Sequence, residues 1–321
     1  LLDEDHILGF DEIEVSKDDA KCKLAEKWMQ KTAVDSELQV NENDTQIHIK
    51  GREFAYTIDR RTALFTEMKF AGREYLNHPM ELNIWRAPTD NDMYIKAEWK
   101  KAHYDKAYTR AYTTEVVQGK HGVKIVSHAS VVAETVQKIL DVTITWKIDA
   151  SGKIDADIEA TKDGEFPDLP RFGVRMFLDK KLSDARYFGM GPQESYRDKH
   201  QAASHGLYRA NVGDLHEDYI RPQENGSHYD CEYVELNNSR YGIVASAEKA
   251  FSFNASYYTQ EELEKKTHNY ELIESDSVVF CVDYALNGIG SNSCGPVVLE
   301  QYRFDDVLFR FQFTLMPYVK G

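Results

Sequence analysis

Apolar residues recur at every second position in short segments from residue 46 onward, and turn-forming residues separate these segments. The first examples are residues 47–50, 54–59 and 64–70. Successive side chains of a strand point to opposite faces, so this period is typical of strands with one buried face. Strands joined only by short turns favour antiparallel pairing over β–α–β units. The sequence therefore predicts a mostly β fold built from antiparallel strands.

The same alternation predicts further strands along the chain, at residues 123–132, 136–148, 154–160, 172–178, 231–236, 242–247, 251–256, 278–285 and 308–316. One or two short helices complete the prediction. Residues 92–112 have tolerable helical spacing, with Asp90 or Asp92 as the N-cap residue, and residues 259–266 indicate a second helix.

Composition narrows the class of protein. The 321 residues are 42% hydrophobic and include 19 Tyr and 15 Phe, which can fill a sizeable core of half-buried strands. The net charge of −15 disfavours nucleic-acid and anionic membrane surfaces, because phosphates would be repelled. No apolar run has the length of a membrane span.

Cysteine usage points to a reducing compartment. The four cysteines have neither Cys-x-x-Cys nor Cys-x-x-His spacing, so the pattern predicts no metal knuckle and no disulfide framework. A cytoplasmic location follows as the expectation. The chain starts at Leu1 without an initiator methionine, which suggests a piece cut from a longer polypeptide.

A stiff polar loop follows an apolar alternation at residues 85–92, which read W-R-A-P-T-D-N-D. Pro88 fixes its own φ and pushes the preceding residue toward an extended conformation. Residues 89–92 are turn formers whose side chains bond nearby backbone groups. This loop can be a recognition site. From physics alone, a sharp turn whose carboxylates cap backbone N–H groups is the favoured interpretation.

Three more polar or glycine-rich segments follow: residues 187–196 (Y-F-G-M-G-P-Q-E-S-Y), 219–228 (Y-I-R-P-Q-E-N-G-S-H) and 288–296 (G-I-G-S-N-S-C-G-P). Together with residues 85–92, they resemble in order the "RAP-x-DND", "G-x-GPQE-x-Y", "P-x-ENG" and glycine-rich loop segments of one family. That family is the C-terminal, small-chain domain of family 2 β-galactosidases. With a looser match at residues 1–15, the resemblance covers nearly the whole chain, and it implies a large antiparallel β supersandwich similar to galactose mutarotases.

The resemblance also implies a domain organisation. Residues 1–40 would be a remnant of the preceding immunoglobulin-like domain plus a linker, with a frayed terminus as the alternative. Residues 41–321 would be the small-chain domain. A retaining glycosidase needs two carboxyl groups about 5–5.5 Å apart. In the family these glutamates, and the divalent and monovalent cations beside them, belong to a TIM-barrel domain. The resemblance thus implies no catalytic residue, cofactor or metal site in this chain.

The resemblance assigns the loop at residues 288–296 to the acceptor side of the galactoside site. Asn292, Ser293 and Cys294 would line the substrate, with Cys294 standing where well-studied members have an aromatic residue. A glycine-rich hairpin loop with a buried thiol is the structural alternative. The expected partners are the remainder of a β-galactosidase chain or a large subunit, a lactose-type galactoside, and further copies in a homo-oligomer. Neither nucleic acid nor a membrane is expected as a partner.

Seven other polar residues are candidates for interface or site-supporting roles: Arg86, Asp90, Asn91, Asp92, Glu194, Glu224 and His228. A structural ion-pair network is the favoured interpretation of the first four. Glu224 and His228 could instead imitate the acid–base pair of an aldose mutarotase or epimerase, which is one alternative function. Loop glutamates of this kind more often bind backbone amides. A carbohydrate-binding or purely structural module is the remaining alternative.

Overall fold

The computed structural model describes residues 10–13, 37–290, 292 and 294–320. Within these residues it contains seventeen strands and two short α-helices. The first strands are β1 Gln39–Glu42, β2 Gln46–Lys50, β3 Phe54–Asp59, β4 Leu64–Phe70, β5 Arg73–Glu74, β6 Leu76–Asn83, β7 Tyr108–Gln118, β8 Gly122–Val132 and β9 Leu140–Asp149. The others are β10 Ile154–Lys162, β11 Arg171–Asp179, β12 Asp184–Gly191, β13 Ser204–Asn211, β14 Ser227–Asn237, β15 Tyr241–Ser256, β16 Ser277–Leu286 and β17 Leu308–Val319. The helices are α1 Ile95–Lys101 and α2 Gln260–Lys265.

The strands form two antiparallel sheets. Strands β1 to β5 pair in chain order as a five-stranded sheet, and the other twelve strands form the second sheet. The main path of the second sheet is β13-β12-β14-β15-β17-β10-β9-β8-β7, while β11 lies between β6 and β16. The predicted mostly β, antiparallel fold is confirmed.

Strand β15 divides the larger sheet. Its first part, Tyr241–Ser246, pairs with β17, whereas Ser252–Ser256 pairs with β16. The residues between these parts include the exposed positions 248–250. One long strand therefore pairs with two different neighbours, and its middle lies where β16 and β17 diverge.

Buried side chains join the two sheets into a shared core. The indole Nε1 of Trp146 on β9 donates to the carbonyl oxygen of Ala63 at 2.8 Å, and its ring meets Phe65 on β4 edge to face at 4.9 Å. The hydroxyl of Tyr56 on β3 donates to the carbonyl oxygen of Gly152 at 2.7 Å. Because the indole N–H and the phenolic hydroxyl each have a hydrogen-bond partner, both large rings can be buried without an unpaired polar group.

The predicted helix at residues 92–112 is wrong in length. Helix α1 ends at Lys101, and His103 adopts a left-handed backbone conformation with φ of 58°. Tyr108 already pairs with Val132 of β8, so sheet pairing overrides the local helical spacing. Asp92 does not cap α1, because its carboxylate accepts the backbone N–H of Thr89 at 2.8 Å in the preceding turn.

Other strand boundaries in the structure also differ from the predicted ones. The two strands predicted at 242–247 and 251–256 are one continuous strand, β15, and β13 was not foreseen. The predicted short helix at 259–266 is confirmed as α2, with the Thr259 hydroxyl accepting the N–H of Glu262 at 3.1 Å. Most of the predicted N-terminal remnant lies outside the described residues, so the domain boundary at residue 40 stays a prediction. None of the described helices has the length and apolar character needed to cross a bilayer.

Candidate functional site

Arg86 connects the loop after β6 with the start of the glycine-rich loop. Its side chain is fully buried, and its Nε and one terminal nitrogen donate to the Asp92 carboxylate at 3.2 and 2.7 Å. The guanidinium also donates to the carbonyl oxygens of Asn287 at 2.5 Å and Gly288 at 3.1 Å. A bidentate ion pair whose remaining donors are also used can hold a buried charge in place.

Two further side chains hold the base of the glycine-rich loop. The Asp198 carboxylate accepts the backbone N–H groups of Ile289 at 3.0 Å and Gly290 at 2.7 Å. The Asn91 amide donates to the carbonyl oxygen of Gly290 at 2.5 Å. Gly290 has a φ of 63°, where residues with a Cβ are strained. The base of the loop is thus fixed from both sides.

The tip of the loop is open by comparison. Cys294 is exposed with a free thiol, Gly295 and Pro296 are exposed, and Asn292 is partly exposed. The alternative of a buried thiol at position 294 is therefore not what the structure shows. Ser293 lies outside the described residues, and its predicted role stays a prediction. A fixed base with an open tip is a geometry suited to presenting groups to a ligand.

The "P-x-ENG" segment pairs with the loop after β6. The backbone N–H of Asp90 donates to the Gln223 side chain at 3.0 Å, and the Gln223 amide donates to the Asp90 carboxylate at 3.3 Å. The N–H of Glu224 donates to the carbonyl oxygen of Ala87 at 3.0 Å. Two segments far apart in sequence therefore lie side by side.

Glu194 bonds the "GPQE" segment to the "P-x-ENG" segment. Its carboxylate accepts the backbone N–H of Gly226 at 2.8 Å, the hydroxyl of Tyr219 and the ammonium of Lys199. Gly226 has a φ of 69°, and a Cβ there would lie 2.3 Å from the carbonyl oxygen of Leu215. This carboxylate thus binds backbone and side-chain donors, as loop glutamates commonly do.

Glu224 belongs to a buried ion-pair group rather than to an open site. Its carboxylate lies 3.3 Å from the guanidinium of Arg171, which also binds Asp283 through contacts of 3.2 and 2.5 Å. Burial raises the pKa of both carboxyl groups, and the nearby guanidinium opposes that rise. All three side chains are almost fully buried, so none is available to a substrate.

His228 is likewise enclosed. Its Nδ1 lies 3.2 Å from the carbonyl oxygen of Met190, and its ring packs against Tyr187 at 4.4 Å and Phe253 at 5.0 Å. Burial lowers the pKa of this imidazole to about 4, so the ring is neutral at pH 7. Because Glu224 bonds to Arg171 and His228 to Met190, the two residues do not form the acid–base pair considered for a mutarotase.

The described residues contain no group of three or more His, Cys, Asp or Glu side chains that could hold a metal ion. The predicted location of the cations stays a prediction.

Comparison with known proteins identifies the family. The family described as beta galactosidase small chain matches residues 50–315. The chain belongs to this small-chain family. The resemblance read from the four segments is therefore confirmed.

The small-chain family membership is reflected in individual relatives. The chain is 42% identical over 316 residues to a beta-galactosidase of Actinobacillus pleuropneumoniae, covering 98% of this chain and 30% of that protein. It is 32% identical over 282 residues to a beta-galactosidase of Staphylococcus xylosus, covering 88% and 28%. This member of the family thus spans about 30% of the length of these relatives.

Among solved structures, the galactose 1-epimerase from Lactobacillus acidophilus NCFM aligns with a TM-score of 0.43 at 10% identity, covering 89% of this chain and 99% of that one.

Sequence reasoning missed three residues that hold the loop after β6 and the glycine-rich loop in place. Asp198 and Gln223 bond the loops directly, and Asn287 supplies a carbonyl oxygen to Arg86 while its side chain accepts the N–H of Phe304 at 2.8 Å. Asp198 lies two positions beyond the "GPQE-x-Y" segment, which was the available signal. Its partners lie about ninety positions away in sequence, and no local pattern predicts such a pairing.

Proposed function

We propose that this chain is the part of a β-galactosidase that completes the acceptor side of the active site, in an enzyme that hydrolyses terminal β-D-galactosides such as lactose. The names of its relatives support the reaction. The observation that carries the role of this chain is the loop whose base is held by Arg86, Asn91 and Asp198 while its tip is exposed. A tip positioned in this way can present the Asn292 amide and the Cys294 thiol to the leaving-group sugar.

The surroundings of the loop support docking against another domain. Exposed large apolar side chains lie within or directly after three of the bonded segments, namely Met93, Tyr94, Ile220, Val297 and Leu299. Their exposed fractions range from 41% to 94%, and hydrogen bonds join the three segments that carry them. Exposed apolar side chains on segments that are bonded together support an interaction surface. The proposed partner is the catalytic portion of the β-galactosidase, as the rest of the same chain or as a large subunit.

The chemistry is proposed to lie in that partner. The enzyme would be a retaining hydrolase of glycoside hydrolase family 2, with both catalytic glutamates and the divalent and monovalent cations in the catalytic portion. The buried carboxylates Glu224, Asp283 and Asp92 support this division, because each is paired with an arginine.

The proposal also includes a cytoplasmic location and a homo-oligomeric enzyme. The free thiols of Cys231, Cys281 and Cys294 support the location.

A complementation experiment tests the proposal. The remainder of the Actinobacillus pleuropneumoniae relative, without the part that matches this chain, would be produced with and without the present chain and assayed on a chromogenic β-galactoside. We expect hydrolysis only when both parts are present. Turnover by the present chain alone would contradict the proposal, as would a lack of activity in a mixture whose two parts demonstrably associate.

The Asp198→Asn variant is expected to lower kcat/KM of the complemented enzyme by about tenfold to a hundredfold. The amide keeps one acceptor oxygen but loses the charge that holds Ile289 and Gly290, and a small displacement of a positioned loop is costly. Steady-state kinetics measures the effect. Asp184→Asn, at an exposed position of β12, is the matched control and should leave kcat/KM unchanged. An Asp198 variant with unaltered kcat/KM would exclude a positioning role.

A further inference from the structure

A cavity of about 230 Å³ opens where β14, the middle of β15 and the end of β16 meet. Four aromatic residues contribute to its wall: Tyr196, Tyr229, Phe251 and Tyr284. The ring of Tyr284 is itself supported by stacking on Phe309 at 5.1 Å. The cavity therefore has rigid apolar faces, which can cover one side of a flat ring.

A β-bulge turns two consecutive residues toward this cavity. The register between β14 and β15 shifts between His228 and Cys231, and Asp230 has a φ of 53°. In a regular strand, neighbouring side chains point to opposite faces, yet Tyr229 and Asp230 both line the cavity. A non-glycine residue in the left-handed region is strained, and bulges of this kind are over-represented beside binding sites. The bulge is the backbone feature that creates the polar side of the cavity.

Several polar groups in the cavity have hydrogen-bonding capacity to spare. Among the described residues, no partner is present for the hydroxyls of Tyr229, Tyr284 and Ser252. Arg197 uses one terminal nitrogen to bond the carbonyl oxygen of Arg303 at 2.6 Å, which leaves its other N–H groups available. Burial and the adjacent Asp230 carboxylate raise the pKa of Tyr229, so its hydroxyl remains a neutral donor and acceptor at pH 7.

Charge and size indicate the class of ligand. Arg197 and Asp230 carry opposite charges, so the cavity is close to neutral and has no excess of cations to favour a phosphate or sulfate. Asp230 is further paired with His205 at 2.9 Å. An engineered cavity of about 150 Å³ admits benzene, so the larger volume here suits a six-membered ring with several substituents.

We propose that this cavity binds a neutral hexopyranose, with the aromatic walls covering a C–H face of the sugar and Arg197, Tyr229, Ser252 and Asp230 bonding its hydroxyls. None of the residues that line the cavity belongs to the loop at 288–296, so the inference goes beyond the proposed function. It assigns to the small-chain domain a saccharide site of its own.

Titration calorimetry with D-galactose, D-glucose and methyl β-D-galactopyranoside tests the proposal on this chain. We expect saturable binding of at least one of these sugars, with a Kd on the order of 1 mM. Tyr229→Phe and Ser252→Ala each remove one hydroxyl and should weaken binding about threefold to tenfold. Arg197→Ala should weaken it by about tenfold or more. Thermal unfolding of each variant establishes that the fold is retained.

Two controls separate the cavity from other sites. Arg209→Ala, at an exposed position on β13, should leave the Kd unchanged. Asn292→Ala and Cys294→Ala alter the tip of the loop assigned to the acceptor side, so they show whether sugar binds there instead of in the cavity. Absence of saturable binding of all three sugars would overturn the proposal. Binding that survives the cavity variants but is lost on changing the loop tip would overturn it as well, while supporting the proposed role of the loop.

Discussion

Replacing Arg171 by methionine is expected to lower the free energy of unfolding by about 3–5 kcal/mol. Methionine retains much of the side-chain volume but removes the guanidinium that pairs with both Glu224 and Asp283. Both carboxylates are buried, so the variant must either bury unpaired charge or protonate them. Urea unfolding followed by tryptophan fluorescence measures the change.

The surface pair of Arg310 and Asp157 provides the matched control. It has the same bidentate geometry, at 2.7 and 2.5 Å, but the Arg310 side chain is 53% exposed. Arg310→Met should therefore change stability far less, because water solvates the carboxylate left behind. Adding Glu224→Gln and Asp283→Asn to Arg171→Met should recover part of the loss. Equal destabilisation by Arg171→Met and Arg310→Met would contradict this account.

His228 is expected to make stability strongly dependent on pH in the acid range. Its folded-state pKa is lowered from 6.5 to about 4 by burial. Below pH 6.5 the unfolded chain takes up a proton that the folded chain does not, so stability falls until the folded imidazole is also protonated near pH 4. The contribution of this imidazole to the free energy of unfolding is fully present above pH 6.5. About 3 kcal/mol of it is lost between pH 6.5 and pH 4.

The His228→Phe variant isolates this contribution. Phenylalanine retains an aromatic ring against Tyr187 and Phe253 but cannot be protonated. Urea unfolding at several pH values between 4 and 7 should show a shallower pH dependence for the variant, while titration of the many other acidic groups affects both proteins alike. Parallel curves for the two proteins would show that folding does not lower the pKa of this imidazole.

The two arginine groups also explain how the loop is held. Arg86 ties the start of the glycine-rich loop to Asp92, and Arg171 ties β11 to β16 just before that loop begins. A Cβ on Gly173 would lie 2.4 Å from an Asp283 oxygen, so the glycine in β11 makes room for this carboxylate. The start of the glycine-rich loop is thus held in position by two buried ion pairs, Arg86 with Asp92 and Arg171 with Asp283.

Sequence reasoning located the segments of the site but not their contacts. The turn formers at residues 89–92 and the glycines at 226 and 290 have local conformational signatures. Residues 90–92 form one 3-10 turn, and both glycines lie outside helices and strands. The contacts of Asp198 and Gln223 join residues about 90 and 130 positions apart. Local patterns cannot encode such contacts, because they depend on which loops the sheet brings to one edge.

The amino-acid sequence by itself determined the class of fold and the family, because period-two alternation and turn chemistry act over a few residues and the four segments occur in a recognisable order. Only the tertiary structure decided how far the helix after residue 92 extends, since pairing of β7 with β8 outweighs helical spacing there. It also decided that Glu224 and His228 face separate buried partners. Burial sets the protonation and availability of such groups, and burial is a property of the folded chain.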